Sequence, residues 1–333
     1  MLTLFKPYGS TQREEQLYGS MVRVIGVTQP AGPARDAEIL EKIRTCDILE
    51  ADVDIPINKE LLKEAKDLKA VLCNSIGTDY VNLQELTELG IPVGNNPDFC
   101  IEAVAEYAIG LMFSITRKIP KAANGVADRN WMIRREVGGI ELFGKTFGLI
   151  GFGRIGREVA RMAAGLSMKV IAYDAYMNTE AANAMGVESV TLEQIYERAD
   201  VISIHAPLLP ETKGLIDRRA IAKMKDGVYL INVSRGGIVV EADLAEAVKA
   251  QKFGGVALDV LEQEPPQEDH PLLGLIDRNV VITPHSAWNT AEADKKADDH
   301  FETQLKAVIE GKTTPALLNP EVLKHPRNQA WYR

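Results

Sequence analysis

The chain has little of what marks a stapled, metal-bound, membrane-embedded or polyanion-binding protein. It has three cysteines in 333 residues, Cys46, Cys73 and Cys100, far apart and without metal-ligand spacing. Neither a disulfide framework nor a metal site is expected, and the thiols read as reduced, buried packing in a cytoplasmic protein. Lys and Arg total 38 against 47 Asp and Glu, a net charge of −9. That balance excludes a broad nucleic-acid footprint and an anchor on anionic membrane, while leaving room for a local basic site. No uninterrupted apolar run is long enough to span a bilayer. The opening MLTLFKPYGS lacks an apolar core after a basic start, so no secretory signal is expected.

What is present is a large apolar fraction, 46% of residues, spread over a chain too long for one ordinary core. Cores stop growing near ~250–300 residues, so two domains are expected. Short apolar runs alternate with amphipathic stretches, the pattern of parallel α/β folds. In the first third, strands are expected at 2–5, 23–27, 46–51, 69–75 and 91–95, with helices at 36–44, 58–67 and 82–89. Asp36 and Asn58 suit the N-caps of the first two helices. Residues 101–119 read as one long, mostly apolar helix joining two domains. From Thr146 the pattern restarts, with strands at 146–152, 169–174, 201–206, 228–234, 254–260 and 280–285. Helices fall at 155–165 and 241–251, and 290–311 is helical again. These later strands are nearly continuous apolar runs, as expected where helices cover both faces of a parallel sheet.

The most specific local signal is GFGRIG at 151–156, which follows a strand and opens a helix. Gly151 suits the tight turn, Gly153 a close backbone approach to a pyrophosphate, and Gly156 close packing of helix on strand. The helix start offers unpaired N–H groups and partial positive charge, with Arg154 placed to add a charged contact. The next strand, KVIAYD, ends in Asp174, 23 residues after Gly151. A carboxylate there accepts hydrogen bonds from ribose hydroxyls and repels a 2′-phosphate. The following AYMN has no Arg or Lys to receive such a phosphate, so NAD is the expected cofactor rather than NADP.

Such a cofactor implies hydride transfer, with the reacting groups at carboxyl ends of strands. Arg235 follows VYLINVS, Glu264 lies shortly after GGVALDV, and His285 follows VVITP. Reduction of a 2-keto acid requires a held carboxylate, a polarised carbonyl and a proton for the nascent alkoxide. Arginine, with a planar and permanently charged fork, suits the first two. Histidine suits the third, and a carboxylate behind it fixes its tautomer and favours its protonated form. Taken singly, each residue also has an ordinary reading as a loop or structural group. His205, after VISI, is a rival base or a cofactor-lining residue, whereas His270, His300 and His325 sit in polar stretches and read as surface.

At this point the chain resembles the D-2-hydroxyacid dehydrogenase family over nearly its whole length. The motifs that carry the resemblance are GFGRIG, HAPLLPET (205–212), LINVSRGGIV (230–239), ALDVLEQEP (257–265) and ITPHSAW (282–288). The resemblance implies that Arg235 binds the substrate carboxylate and carbonyl, that His285 is the acid/base, and that Glu264 pairs with it. It implies that Asp259 holds the nicotinamide carboxamide. Further NAD contacts are expected from Arg154, Ile155, His205, Pro207, Thr212, Val233 and His285. The segment NSIGTD (74–79) resembles the family's substrate loop, in which N–H groups around Ser75, Ile76 and Gly77 grip the carboxylate. Trp288 would wall the substrate side-chain pocket. No basic cluster for a substrate phosphate is evident near NSIGTD, so an unphosphorylated acid is expected.

The resemblance further implies two doubly wound parallel α/β domains with a cleft between them. The substrate domain, flavodoxin-like, would comprise 1–114 and 305–333, and a Rossmann NAD-binding domain 115–304. A homodimer paired through the NAD domain is expected, with 115–140 contributing. NPDFC (96–100) and HSAW (285–288) are most similar to the branch holding the C-terminal-binding-protein corepressors and the hydroxypyruvate reductases. Two functions are therefore weighed: an NAD-dependent enzyme interconverting a small 2-keto acid and its D-2-hydroxy acid, and an NADH-responsive corepressor-like binding protein with weak or residual dehydrogenase activity. The full set of Arg235, Glu264 and His285 favours the enzyme.

Overall fold

The computed structural model describes residues 1–333 except 8, 9, 31, 52–54, 56, 64, 329, 330 and 333. The chain divides into two compact units, Met1–Phe99 with Thr290–Arg333, and Cys100–Asn289. The seams lie 15 residues ahead of the expected boundaries, at 99 rather than 114 and at 289 rather than 304. Whole helices explain the offset. The helix Ile101–Thr116 buries its apolar face in the second unit, and Ala291–Ile309 buries its own in the first.

In the first unit the described residues form a five-stranded parallel sheet. Its strands are β1 (Thr3–Phe5), β2 (Arg23–Ile25), β3 (Ile48–Ala51), β4 (Ala70–Cys73) and β5 (Val93–Gly94), in the order β2-β1-β3-β4-β5. This is a flavodoxin-like order, in which the chain changes direction along the sheet between β1 and β3. One face is covered by α1 (Gln12–Tyr18) and the C-terminal helix Ala291–Ile309, so Tyr18, Phe301, Leu305 and Val308 pack on Leu4, Ile48 and Leu72. Each such buried side chain contributes on the order of 1.5–3 kcal/mol. The other face takes α2 (Pro33–Thr45), α3 (Lys59–Leu62) and α4 (Leu83–Glu88) through Ile39, Ile43, Leu62 and Leu86.

Asn58 caps α3 as expected, its side chain accepting from the Leu61 N–H at 3.0 Å. Asp36 does not cap α2. That helix starts at Pro33, whose fixed φ suits the first helical position, and Gly32 precedes it. Residue 64, within the helix expected at 58–67, lies outside the described residues.

In the second unit the described residues form a seven-stranded parallel sheet of order β12-β11-β10-β9-β6-β7-β8. Its strands are β6 (Thr146–Ile150), β7 (Lys169–Tyr173), β8 (Glu188–Ser189), β9 (Val201–Ile204), β10 (Val228–Asn232), β11 (Phe253–Leu258) and β12 (Val280–Ile282). The order reverses between β6 and β9, as in a Rossmann sheet. On one side lie α5 (Ile101–Thr116) and α7 (Arg154–Gly165), which pack together and place α5 across β10 and β11. Between them in sequence is α6 (Ile119–Ala127). Next after β7 comes α8 (Thr179–Ala184), and on the other side α9 (Leu192–Arg198), α10 (Arg218–Lys223) and α11 (Glu241–Lys249) join the core through Ile195, Tyr196, Ile221, Leu244 and Val248.

The single helix expected over 101–119 breaks after Thr116. Lys118 is left-handed (φ 53°), and Pro120, which has no N–H for the ladder, opens α6. Among the described residues no helix is long and apolar enough to cross a membrane. The three cysteines are buried thiols, and burial pushes those of Cys46 and Cys73 up to about 12.

Candidate active site

The glycine turn sits where β6 gives way to α7, beside the reversal point of the seven-stranded sheet. Gly151 is left-handed (φ 101°), and a Cβ there would meet the His205 carbonyl carbon and the Ala206 nitrogen at 2.6 Å. Its turn is thus pressed against the end of β9, and a side chain is excluded on both counts. Gly156 is packed on the Gly151 carbonyl oxygen in the same way. Gly153 differs. Its φ of −72° is open to any residue, and nothing lies within 4 Å of the position of a Cβ. Neither backbone nor neighbours require glycine there, and the open space lies at the start of α7, where unpaired N–H groups and the helix dipole favour an anion. These features fit the pyrophosphate of a dinucleotide. Arg154 is exposed in the first turn of α7 and Ile155 is half-buried.

Asp174 closes this turn from the next strand. Its Oδ2 accepts from the Phe152 N–H at 2.7 Å and its Oδ1 from the Tyr176 N–H at 2.8 Å. Each oxygen retains a lone pair for a hydroxyl donor. His205, at the end of β9, has Nε2 2.8 Å from the Ser203 Oγ. Burial pushes its imidazole down to about 3, so it is neutral near pH 7 and is a poor proton donor there. The Thr212 hydroxyl donates to the Pro207 carbonyl at 2.6 Å and accepts from the Leu209 N–H at 2.8 Å, which holds the 207–212 turn. Val233 is buried after β10, and the Ser234 hydroxyl donates to the Ala206 carbonyl, tying the ends of β9 and β10 together.

The reacting groups expected downstream come from the ends of β10, β11 and β12. The Asn232 side chain donates to the Arg235 carbonyl at 2.9 Å, and the Arg235 Nη1 donates to the Ser234 carbonyl at 2.8 Å. His285 Nδ1 lies 2.7 Å from Glu264 Oε2, while Glu264 Oε1 accepts from the Leu261 N–H at 2.9 Å. Burial alone would raise the Glu264 carboxyl. The His285 bond, the Leu261 N–H and the Arg235 charge outweigh it and hold the group below the usual carboxylate range. Of the expected trio, Glu264 and His285 meet directly and Arg235 reaches Glu264 by charge. With Nδ1 engaged by Glu264, Nε2 is the ring nitrogen left to exchange a proton.

His285 is itself left-handed (φ 52°), a conformation that needs support in a non-glycine residue. Asp259 supplies it. Its carboxylate, 1% exposed, accepts from the Thr283 hydroxyl (2.6 Å), the Ser286 N–H (3.0 Å) and the Ala287 N–H (2.8 Å), and its carbonyl accepts the His285 N–H (2.8 Å). Tyr107 OH of α5 lies 3.1 Å from the Ser286 Oγ. These supports were not legible in the sequence, because they act on backbone groups that carry no side-chain signal. Trp288 is 38% exposed.

Ser75, Ile76 and Gly77 lie in the first unit, after β4. The Ser75 hydroxyl donates to the Gly77 carbonyl at 2.8 Å, and the Ser75 and Ile76 carbonyls accept from the Asn96 N–H (2.9 Å) and the Asn95 side chain (2.8 Å). Three histidines expected at the surface are not exposed: His270, His300 and His325 are all partly buried. The side chain of His270 is only 10% exposed, because it pairs with Glu241. Among the described residues no group of three or more His, Cys, Asp or Glu could hold a metal ion.

Residues 109–287 match the family model described as the D-isomer specific 2-hydroxyacid dehydrogenase, NAD binding domain. The chain is 39% identical over 296 residues to a D-3-phosphoglycerate dehydrogenase of Methanocaldococcus jannaschii, covering 89% of this chain and 56% of that protein. It is 37% identical over 297 residues to a glyoxylate reductase of Thermofilum pendens, covering 88% of this chain and 86% of that one. The chain thus spans about half the length of the phosphoglycerate dehydrogenases it matches (56%, 48% and 54% of three of them) and most of the glyoxylate reductase. Among solved structures it is similar to a D-lactate dehydrogenase of Aquifex aeolicus complexed with NAD and lactic acid. There the TM-score is 0.82 at 27% identity, over 93% of this chain and 96% of that one.

Proposed function

Since the chain belongs to the D-isomer specific 2-hydroxyacid dehydrogenase family, we propose that it is an NAD-dependent dehydrogenase interconverting a small 2-keto acid and its D-2-hydroxy acid. The observation that carries this reading is the 2.7 Å pairing of His285 with Glu264 in the same sheet unit as the open glycine turn. In the proposed reaction Gly151, Gly153 and Gly156 admit the pyrophosphate, Arg154 and Ile155 flank it, and Asp174 takes the ribose hydroxyls. His205, Pro207, Thr212, Val233 and Asp259 shape the remaining cofactor contacts. When bound, NADH supplies the hydride. Arg235 orients the keto acid and polarises its carbonyl. His285 Nε2 gives its proton to the oxygen that becomes the hydroxyl, while Glu264 holds Nδ1 and stabilises the protonated ring. In the oxidation direction the same nitrogen takes the proton back. The Ser75–Gly77 turn is proposed as an anion nest for a carboxylate, and Trp288 as a wall that sorts side chains.

The test is NADH oxidation with pyruvate, glyoxylate, hydroxypyruvate, phenylpyruvate, branched 2-keto acids and 3-phosphohydroxypyruvate. At least one unphosphorylated acid is expected to be reduced to the D product. His285→Ala is expected to lower kcat on the best substrate by roughly 10²–10⁴-fold. Wild-type inactivity on every acid would remove the enzymatic reading.

A homodimer is also proposed. Ile119, Val126, Trp131, Met132 and Phe143 are large apolar side chains that stay exposed, and α6 has no buried residue of its own. An apolar stretch of that kind asks for a partner, and a protomer-sized mass in solution at micromolar concentration would contradict it.

A further inference from the structure

A second carboxylate–imidazole pair holds the segment that carries Glu264. Glu241 stands in the first turn of α11, and its Oε2 is 2.8 Å from His270 Nε2. Their side chains are 14% and 10% exposed. His270 Nδ1 accepts from the Leu272 N–H at 3.4 Å, which leaves the ring proton on Nε2, directed at Glu241. The other oxygen of Glu241 accepts the Glu262 N–H at 2.8 Å. One carboxylate therefore ties together two points of the segment that carries Glu264, one on each side of it.

The backbone of Leu261 and Glu262 is fixed from three directions. The Leu261 N–H donates to Glu264 Oε1 at 2.9 Å, and the Glu262 N–H donates to Glu241. The backbone of Gly236, next to Arg235, lies directly against this peptide, leaving no room for a Cβ between Gly236 and the Leu261 carbonyl. The same short stretch thus touches the arginine segment, supports the carboxylate that pairs with His285, and is anchored by Glu241.

We infer that Glu241 and His270 are positioning residues for the acid–base pair, holding the 261–264 segment so that Glu264 meets His285 and keeps its distance from the Arg235 segment. This rests on the proposed dehydrogenase reading. The clamp matters because misplacement of a reacting group by ~1 Å costs on the order of 10²-fold in rate. The charged and titratable groups involved are Glu264 facing His285, Arg235 acting on Glu264, Asp259 beneath the His285 turn, and the Glu241–His270 pair itself, with Glu262 contributing its backbone.

The test uses the full chain with Glu241→Ala, Glu241→Gln and His270→Gln. It measures kcat and KM on the best keto acid, the NADH Kd by fluorescence, the pH profile, and the His285 ring titration by NMR. Glu241→Ala is expected to lower kcat by ~10–100-fold while the NADH Kd stays within about twofold, since the glycine turn is untouched. The pH profile and the His285 ring signals are both expected to differ from those of the wild type as Glu264 loosens its hold on Nδ1. Glu241→Gln keeps an acceptor for the Glu262 N–H and is expected to recover part of the loss, which also guards against a folding defect in the alanine variant. An unchanged kcat, pH profile and His285 titration in Glu241→Ala would overturn the clamp. If the wild type reduces no acid, the dehydrogenase reading fails separately, and the His285 titration still decides whether the clamp exists.

Discussion

Each unit has a point where its sheet reverses direction, and the two points are built from opposite materials. In the seven-stranded sheet, between β6 and β9, the chain presents a bare turn: Gly151 in a left-handed conformation and Gly153 with open space above it. In the five-stranded sheet, between β1 and β3, the place is filled by side chains. Lys6 follows β1 and pairs with Glu14 of α1, and its Nζ is 4.0 Å from an oxygen of Glu50 on β3. Glu14 and Glu50 are only 6% and 8% exposed. Open α/β sheets offer a crevice at such points. The comparison teaches that the topology supplies the place and the local residues decide whether it receives a ligand or closes upon itself.

The largest stability effect is expected where the place is filled. Lys6→Met takes the cation from the nearly buried Glu14, and should cost about 2–3 kcal/mol in a urea unfolding experiment. That lies below the figure for a wholly buried pair because the Lys6 side chain keeps 21% exposure. Retained stability in this variant would mean that the charges are not what closes the first crevice. At the open point Gly151→Ala should weaken NADH binding by ~10-fold or more, because a left-handed φ of 101° and the backbone at the end of β9 both oppose a methyl group. An unaltered Kd measured by fluorescence would separate the glycine turn from cofactor binding.

A smaller effect concerns His205, beside the same turn. Its folded value is near 3 against an ordinary 6.5, so the unfolded chain binds the proton first. The folded protein should lose stability as pH falls below about 6.5, by about 1 kcal/mol from this group between pH 6.5 and 5.5. His205→Asn should flatten that part of the stability profile, and an identical slope in the variant would show that His205 is not the titrating group.

The sequence was most informative where chemistry recurs at strand ends. The glycine turn, Asp174 and the order of Arg235, Glu264 and His285 stand in apolar-run–polar-residue patterns that place them before any coordinates. The strands themselves end earlier than their apolar runs, as at Ile204 rather than 206 and Ile282 rather than 285, because the chain leaves the ladder to form the loops that carry the site. β8 was not legible: it is a two-residue edge strand, Glu188–Ser189, exposed at both positions, so no alternation announces it. Helix α9 is marked by a capping box of Thr191 and Gln194, a signal carried by two polar residues rather than by apolar periodicity. His270 sits among polar neighbours in sequence, yet its side chain is enclosed by a partner 29 residues away. Asp259 has the same character, since its work is done on backbone N–H groups of a turn that follows it by 27 and 28 residues.

The central claim is that Glu264 and His285 act as one acid–base unit. The most direct test is the pH dependence of kcat/KM for keto-acid reduction in the wild type and in Glu264→Gln. The Glu264 carboxyl, held low by the His285 hydrogen bond and the Arg235 charge, keeps a negative charge behind the imidazole. Its replacement by an amide removes that charge and should lower kcat/KM by ~10-fold or more across the profile. Superimposable profiles for the two proteins would contradict the account.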